Sequence, residues 1–270
     1  MASYLITGAS RGLGFEFVRQ LAQDPGNVVI GLVRNKKSTE EKIHRELKQH
    51  ANVHIVQADL EDYVSIQNSV PDVSNITGGS LDYIIANAAI VSSYSAFDSL
   101  GTLGKDPAGL EKDLLESFKV NVVGNIHLFN SYMPLILKGN VKKVITLSTG
   151  MADLDLVNKF ELAIAAPYAI SKVGVNAAVA KYNAEYGKDG VLFLAISPGL
   201  VDTGNNVNVP EEHAAGFAEM TRKFALYAPH FKGPATAEES VNDMLTVINK
   251  ATVETYGGAF VSHKGNKEWL

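Results

Sequence analysis

The sequence predicts an α/β protein, a doubly wound parallel sheet in a single domain, and three observations carry that prediction. Short apolar runs that read as buried strands alternate with longer runs of helical periodicity. The first strand leads straight into a glycine-rich turn and then a helix, from Tyr4 to Gln23. No Pro/Gly/Ser-rich linker divides the 270 residues, and 46% hydrophobic content suffices for one large core.

Composition excludes several classes of function. A net charge of -5 leaves no basic footprint for nucleic acid or an anionic membrane, and no apolar run reaches the ~18 residues of a membrane span. With no cysteine there is no disulfide, thiolate ligand or cysteine nucleophile, which fits a reducing, cytoplasmic setting, as does the lack of a secretory leader after Met1. Of seven scattered histidines only His50 and His54 lie close together, and they read as flanking a turn, so no metal is expected. The partner implied is a small molecule.

Taken in order, Tyr4 to Thr7 is a buried strand that enters Gly8-Ala-Ser-Arg-Gly-Leu-Gly14, and Phe15 to Gln23 is helical. Glycines at 8, 12 and 14 let the backbone bend tightly, approach a pyrophosphate, and aim the N–H groups of a helix start at its charge. Asn27 to Val33 is the second strand. Where an enzyme that binds a ribose 2'-hydroxyl usually places a carboxylate, this chain has Arg34-Asn-Lys-Lys37. A cation there can pair with a 2'-phosphate, which favours NADP(H) over NAD, with Arg11 as a second cation; the alternative is a solvated basic loop. Ser38 to Gln49 reads as a helix, Val53 to Gln57 as a strand, and Asp59-Leu60 lies at its carboxyl end. Glu61 to Val73 is helical, and the strand Leu81 to Ala86 ends in Asn87-Ala-Ala89.

In the second half, Leu110 to Leu137 contains one long helix that carries Asn121 as a kink, a satisfied core group or a relay position. Val141 to Leu147 is a buried strand ending in Ser148-Thr149-Gly150, and a loop from Met151 to Ala166 follows. The helix Ala165 to Tyr186 holds Tyr168-Ala-Ile-Ser-Lys172, which sets a phenol and an ammonium one turn apart on one face. The lysine is expected to draw the phenol from its usual pKa of about 10 toward working pH, where it can exchange a proton. The last motif is the strand Val191 to Ile196 with Ser197-Pro-Gly-Leu-Val-Asp-Thr203.

Thr7-Gly-Ala-Ser-Arg-Gly-Leu-Gly14, Asp59-Leu60, Asn87-Ala-Ala89, Asn121, Ser148-Thr149, Tyr168-x3-Lys172 and Pro198-Gly199 with Thr203 run in one order over nearly the whole chain. In that order the chain resembles a classical short-chain dehydrogenase/reductase, with a Rossmann-like fold. Arg34-Asn35 and Gly257-Gly-Ala-Phe-Val261 are similar to fungal ketoreductases of the norsolorinic-acid kind and to sniffer-like carbonyl reductases. The resemblance implies that Tyr168 is the acid/base and that Lys172 holds the nicotinamide ribose. It also implies that Asn121 keeps a relay water and that a hydroxyl orients the substrate oxygen. Thr149 is favoured for that last role over Ser148, since neighbours on a strand point to opposite faces and only one can serve.

The resemblance further assigns Gly8, Ser10, Arg11, Gly12, Leu13, Gly14, Arg34, Asp59, Leu60, Asn87, Ala88, Ala89, Pro198, Gly199, Val201 and Thr203 to the cofactor, with Asp59 at the adenine and Val201 and Thr203 toward the nicotinamide. Three departures stand out: Thr149 for a serine, Ala89 for a glycine, and a longer segment between Thr149 and Tyr168 that leaves the substrate pocket open. Gly204 to Lys232, with Phe217, Met220, Phe224, Leu226 and Tyr227, matches the position of a substrate lid; these side chains suit a bulky or aromatic ketone, or simply pack onto the core. The implied activity is NADPH-dependent reduction of a carbonyl by a homodimer or homotetramer. The alternatives are an NAD-dependent alcohol dehydrogenase and a silent NADP-binding regulator.

Overall fold

In the computed structural model, which describes residues 2–47, 51–204 and 211–270, strands and helices alternate from the first residue onward. β1 (Ser3–Thr7), α1 (Gly12–Leu21), β2 (Val28–Val33), α2 (Lys36–Glu46), β3 (Val53–Gln57), α3 (Tyr63–Thr77) and β4 (Tyr83–Ala86) form the first half. α4 (Leu100–Leu103), α5 (Pro107–Phe118), a π-helical turn (Lys119–Gly124), α6 (Asn125–Ile136), β5 (Lys143–Leu147), α7 (Leu154–Phe160), α8 (Ala166–Tyr186) and β6 (Leu192–Ser197) follow. The remainder is β7 (Val201–Asp202), α9 (Ala214–Tyr227), β8 (Ala235–Thr236), α10 (Ala237–Lys250), α11 (Val253–Tyr256) and β9 (Phe260–Ser262). His50, Gln49 and the stretch 205–210 within the expected lid lie outside the described residues.

Seven strands form one parallel sheet in the order β3-β2-β1-β4-β5-β6-β9, the doubly wound arrangement read from the sequence. Side chains alternate across it, as a strand buried on both faces requires. Ile6, Ile85 and Ile145 pack with α1 and α10, whereas Leu5, Ile84 and Val144 pack with α3, α6 and α8. The strand order reverses between β1 and β4, so their carboxyl ends diverge and leave a crevice. Two hydrogen bonds tie that crevice together: Asn87 Nδ2 donates to the Thr7 carbonyl (2.9 Å), and the Ala88 amide donates to Thr7 Oγ1 (2.9 Å). At the opposite end of the sheet the buried Asp82 carboxylate accepts from the Ser3 and Asn140 amides (2.9 and 2.8 Å), holding β1 and β4 in register.

One expectation is refined and one corrected. The run 110–137 is helical to Ile136, but a six-residue π turn interrupts its α-helical bonding between α5 and α6, with Asn121 fully buried inside it. A π turn widens the backbone and leaves amide groups unsatisfied, which suits a side chain that bonds outside its own helix. The segment 151–166 is not a plain loop, because α7 forms within it. Asp153 caps α7 by accepting from the Asp155 and Leu156 amides (3.0 and 3.4 Å), and Leu156 is buried. Seven residues carry too little periodicity to show in sequence, and such a helix persists only through its cap and its packing.

Candidate active site

The crevice at the β1/β4 reversal is a cleft of about 540 Å³. Gly8, Ser10, Arg11, Gly12, Leu13, Arg34, Asp59, Leu60, Asn87, Ala88, Ala89 and Thr203 all line it, so the sheet gathers twelve of the assigned cofactor positions in one place. Gly14 does not line it. A Cβ there would lie 2.3 Å from the Gly8 carbonyl oxygen, so this glycine lets α1 start against the turn, and Gly8 itself has φ +68°. Pro198 and Val201 are also outside the cleft, and Gly199 lines a second, smaller pocket.

This cradle fits a dinucleotide. The turn closes without side chains against Asn87 and Ala88, and α1 begins at Gly12 with no capping side chain, so its first amides face the cleft unclaimed. Arg11 and Arg34 are exposed at its rim, and neither forms an ion pair among the described residues. Sequence reasoning missed several contributors. Asn35, Ser38 and Thr39 line the cleft, and Lys42 Nζ donates to the Ser10 carbonyl (3.1 Å) while standing 4.0 Å over the Phe15 ring. Asn35 caps α2 by accepting from the Ser38 amide (3.1 Å), which makes the start of α2 a wall of the cleft. An Asn-x-x-Ser cap directly after Arg34 was the available signal.

Tyr168 and Lys172 sit in the first two turns of α8, with Lys172 Nζ 5.7 Å from the centre of the Tyr168 ring. Lys172 is only 2% exposed and donates to the Leu147 carbonyl at the end of β5 (2.7 Å). Asn121 is engaged on every side-chain hydrogen-bonding atom. Its Oδ1 accepts from the Ile90 amide (2.9 Å), and its Nδ2 donates to the Ile90 carbonyl (3.0 Å) and to Ser171 Oγ (2.9 Å). Ser171 Oγ in turn donates to the Tyr168 carbonyl (2.6 Å). The Asn121 amide therefore clamps the Tyr168 turn to the strand-end loop; its backbone carbonyl also accepts from Asn125 Nδ2 (2.7 Å), and each of its two oxygens keeps one lone pair that could hold a water.

The two hydroxyls differ in surroundings. Ser148 is buried at 3% exposure, lines neither cavity and has no partner for its Oγ among the described residues. Thr149 is partly exposed, accepts from the Met151 amide (3.3 Å), and lines the smaller pocket. Of the pair, Thr149 is the one that a small molecule can reach.

The electrostatics run against the expected direction for the phenol. Burial pushes Tyr168 up to about 12 and Lys172 down to about 8. Lys172 is withdrawn from water and Tyr168 partly so, which penalises the ammonium and the phenolate alike, and Lys172 is directed at a carbonyl rather than at the phenol oxygen. Tyr168 is thereby kept neutral, the form that donates a proton. A pH dependence follows for the cofactor-free protein. Folded Lys172 releases its proton at about pH 8, whereas the unfolded residue holds it to its ordinary value of 10.5. In that window the unfolded chain binds more protons, so stability rises with pH. Urea midpoints should show Lys172→Met more stable than wild type below pH 8, with the gap closing toward pH 10. Parallel curves for the two proteins would refute the burial of a charged lysine.

A family model described as short chain dehydrogenase matches residues 3–214. The sequence is 58% identical over 271 residues to the short chain dehydrogenase virK of Hypocrea virens, covering 100% of both chains. It is 50% identical over 271 residues, again with 100% of both covered, to the short-chain dehydrogenase/reductase AacuF of Aspergillus aculeatus. Among solved structures it resembles an NADPH-bound carbonyl reductase from chicken fatty liver, with a TM-score of 0.78, 22% identity and 98% of each chain covered. The carbonyl reductase Sniffer of D. melanogaster gives a TM-score of 0.76 at 23% identity, with the same coverage. At those identities the two structures establish the fold.

Proposed function

Since the chain belongs to the short-chain dehydrogenase/reductase family of oxidoreductases, we propose that it reduces a ketone or related carbonyl with NADPH, Tyr168 giving the proton. One observation carries the reading: a neutral phenol stands one helical turn from a buried ammonium that is bonded to the carboxyl end of β5, the strand beside β4. When bound, a reduced nicotinamide would supply the hydride that the carbonyl carbon takes up.

The chain's own residues do the rest. Thr149 orients the carbonyl oxygen; as the C=O π pair moves onto that oxygen, Tyr168 transfers its proton there and becomes phenolate. Lys172 stabilises that phenolate, and a proton from solvent restores the phenol. Asn121, through Ser171, holds the turn that carries Tyr168 in place. Arg11 and Arg34 would hold the 2'-phosphate, Asp59 the adenine, and Thr203, with Val201 behind it outside the cleft, the nicotinamide side. Of the expected lid, the described part built around α9 would cover the substrate.

The carbonyl reductase named above as NADPH-bound supports the choice of cofactor and reaction. No helix among the described residues is long and apolar enough to cross a membrane. A cytoplasmic homodimer or homotetramer belongs to the same proposal. It rests on the cysteine-free sequence and on exposed Leu115 and Phe118 of α5 and Ile170 of α8. The test is a pair of titrations with NADPH and NADH followed by turnover on a ketone and quinone panel. NADPH should bind at least about tenfold tighter and be consumed. Preference for NADH, or binding without consumption of any carbonyl, would defeat the reading.

A further inference from the structure

Thr149 lines a second cavity, of about 130 Å³, whose walls come from segments far apart in sequence. Leu156 of α7, Met220, Phe224 and Tyr227 of α9, and Trp269 meet there. Trp269 is 3% exposed and is held from three directions. Its ring stacks on Phe260 of β9 at 4.4 Å, its Nε1 donates to Asp153 Oδ2 (3.1 Å), and its backbone amide donates to the Tyr227 hydroxyl (2.8 Å). Gly150, directly after Thr149, leaves room for it, since a Cβ at 150 would lie 2.6 Å from the Trp269 Cβ. The inserted helix α7, the helix α9 and the stretch after β9 thus converge on one indole beside the hydroxyl assigned to the substrate.

The size and lining of this cavity select an occupant. An apolar cavity of roughly 150 Å³ is known to take up benzene and to stay dry otherwise, so about 130 Å³ holds one six-membered ring. No lysine, arginine, histidine, aspartate or glutamate lines it, which excludes a carboxylate or phosphate as the bound group. Aromatic walls favour a flat ring over a branched alkyl chain. We propose that this cavity binds an aromatic ring attached to the reacting carbonyl, so that the preferred substrates are aryl ketones and Trp269 is the fixed wall against which the ring lies. This rests on the assignment of Thr149 to the substrate oxygen.

The chain has a single tryptophan, so its fluorescence reports on this cavity alone. The probe is para-nitroacetophenone, a quencher, titrated into the protein holding NADP+ so that no reduction occurs. Quenching should saturate and should be reversed by acetophenone but not by butanone. Met220→Arg, a change on the partly exposed helix α9, should raise the half-saturation concentration at least about tenfold while the melting temperature stays within about two degrees of wild type. Quenching that rises linearly without saturation, or a half-saturation unmoved by Met220→Arg, would overturn the ring subsite. Failure of wild type to consume NADPH with either ketone would instead overturn the reductase reading, because the quenching measurement does not depend on turnover.

Discussion

Tyr168→Phe is expected to lower kcat by about 10²–10⁴-fold while leaving NADPH affinity within about twofold of wild type. The substitution removes one O–H and keeps the ring, so what is lost is the proton donor. The phenol oxygen forms no hydrogen bond to the described residues, and the helix beneath it is tied down by the Asn121–Ser171–Tyr168 backbone chain, not by the hydroxyl. Melting temperature should therefore stay within about two degrees of wild type, which separates a chemical defect from a folding one. Burial that pushes the phenol up to about 12 adds a further expectation: in the cofactor-free protein Tyr168 should stay protonated below about pH 10, so tyrosinate absorbance of wild type and Tyr168→Phe should coincide over that range. A variant that kept the wild-type rate would remove Tyr168 from the mechanism.

Arg34→Asp is expected to reverse the cofactor preference. A charge-assisted hydrogen bond contributes about 1.5–3 kcal/mol, or roughly 10–150-fold in affinity, and a carboxylate facing a phosphate adds repulsion to that loss. The ratio of NADPH to NADH affinity should thus fall by about 10²-fold or more. NADH should bind as well as before or better, because the new carboxylate can accept from the 2'-hydroxyl. Arg34 is exposed and forms no ion pair with the described residues, so the fold should not notice the change. Its advantage for NADPH should shrink as salt is raised, since an exposed cation and a phosphate are screened. An unchanged affinity ratio would place the 2'-phosphate elsewhere, with Arg11 on the cleft and Lys42, bonded to the Ser10 carbonyl, as the other candidate cations.

Much of the architecture was legible because it is written in local patterns. Period-two and continuous apolar runs gave β1 to β6 within a residue or two, and the glycine turn announced the crevice. The Tyr168–Lys172 pair was legible for the same reason, since one helical turn is a local distance. Other features were not. The direction of the Tyr168 shift depends on how much water the surrounding elements exclude and on where Lys172 Nζ points, and neither is a property of four residues. Which of Ser148 and Thr149 is accessible likewise needed burial, because both hydroxyls lie past the end of β5.

By itself, the sequence determined the sheet, the order of its motifs and the residue types at the reacting edge, since hydrophobic periodicity and turn chemistry act within a few positions of the chain. Only the tertiary structure decided how those residues are solvated and what stands beside them. The π turn that holds Asn121, whose side chain bonds across to Ile90 and Ser171, is one such outcome. The meeting of Leu156, Met220 and Trp269 around Thr149 is another: it joins positions more than a hundred residues apart, and contacts of that range leave no periodic trace because packing, not propensity, selects them.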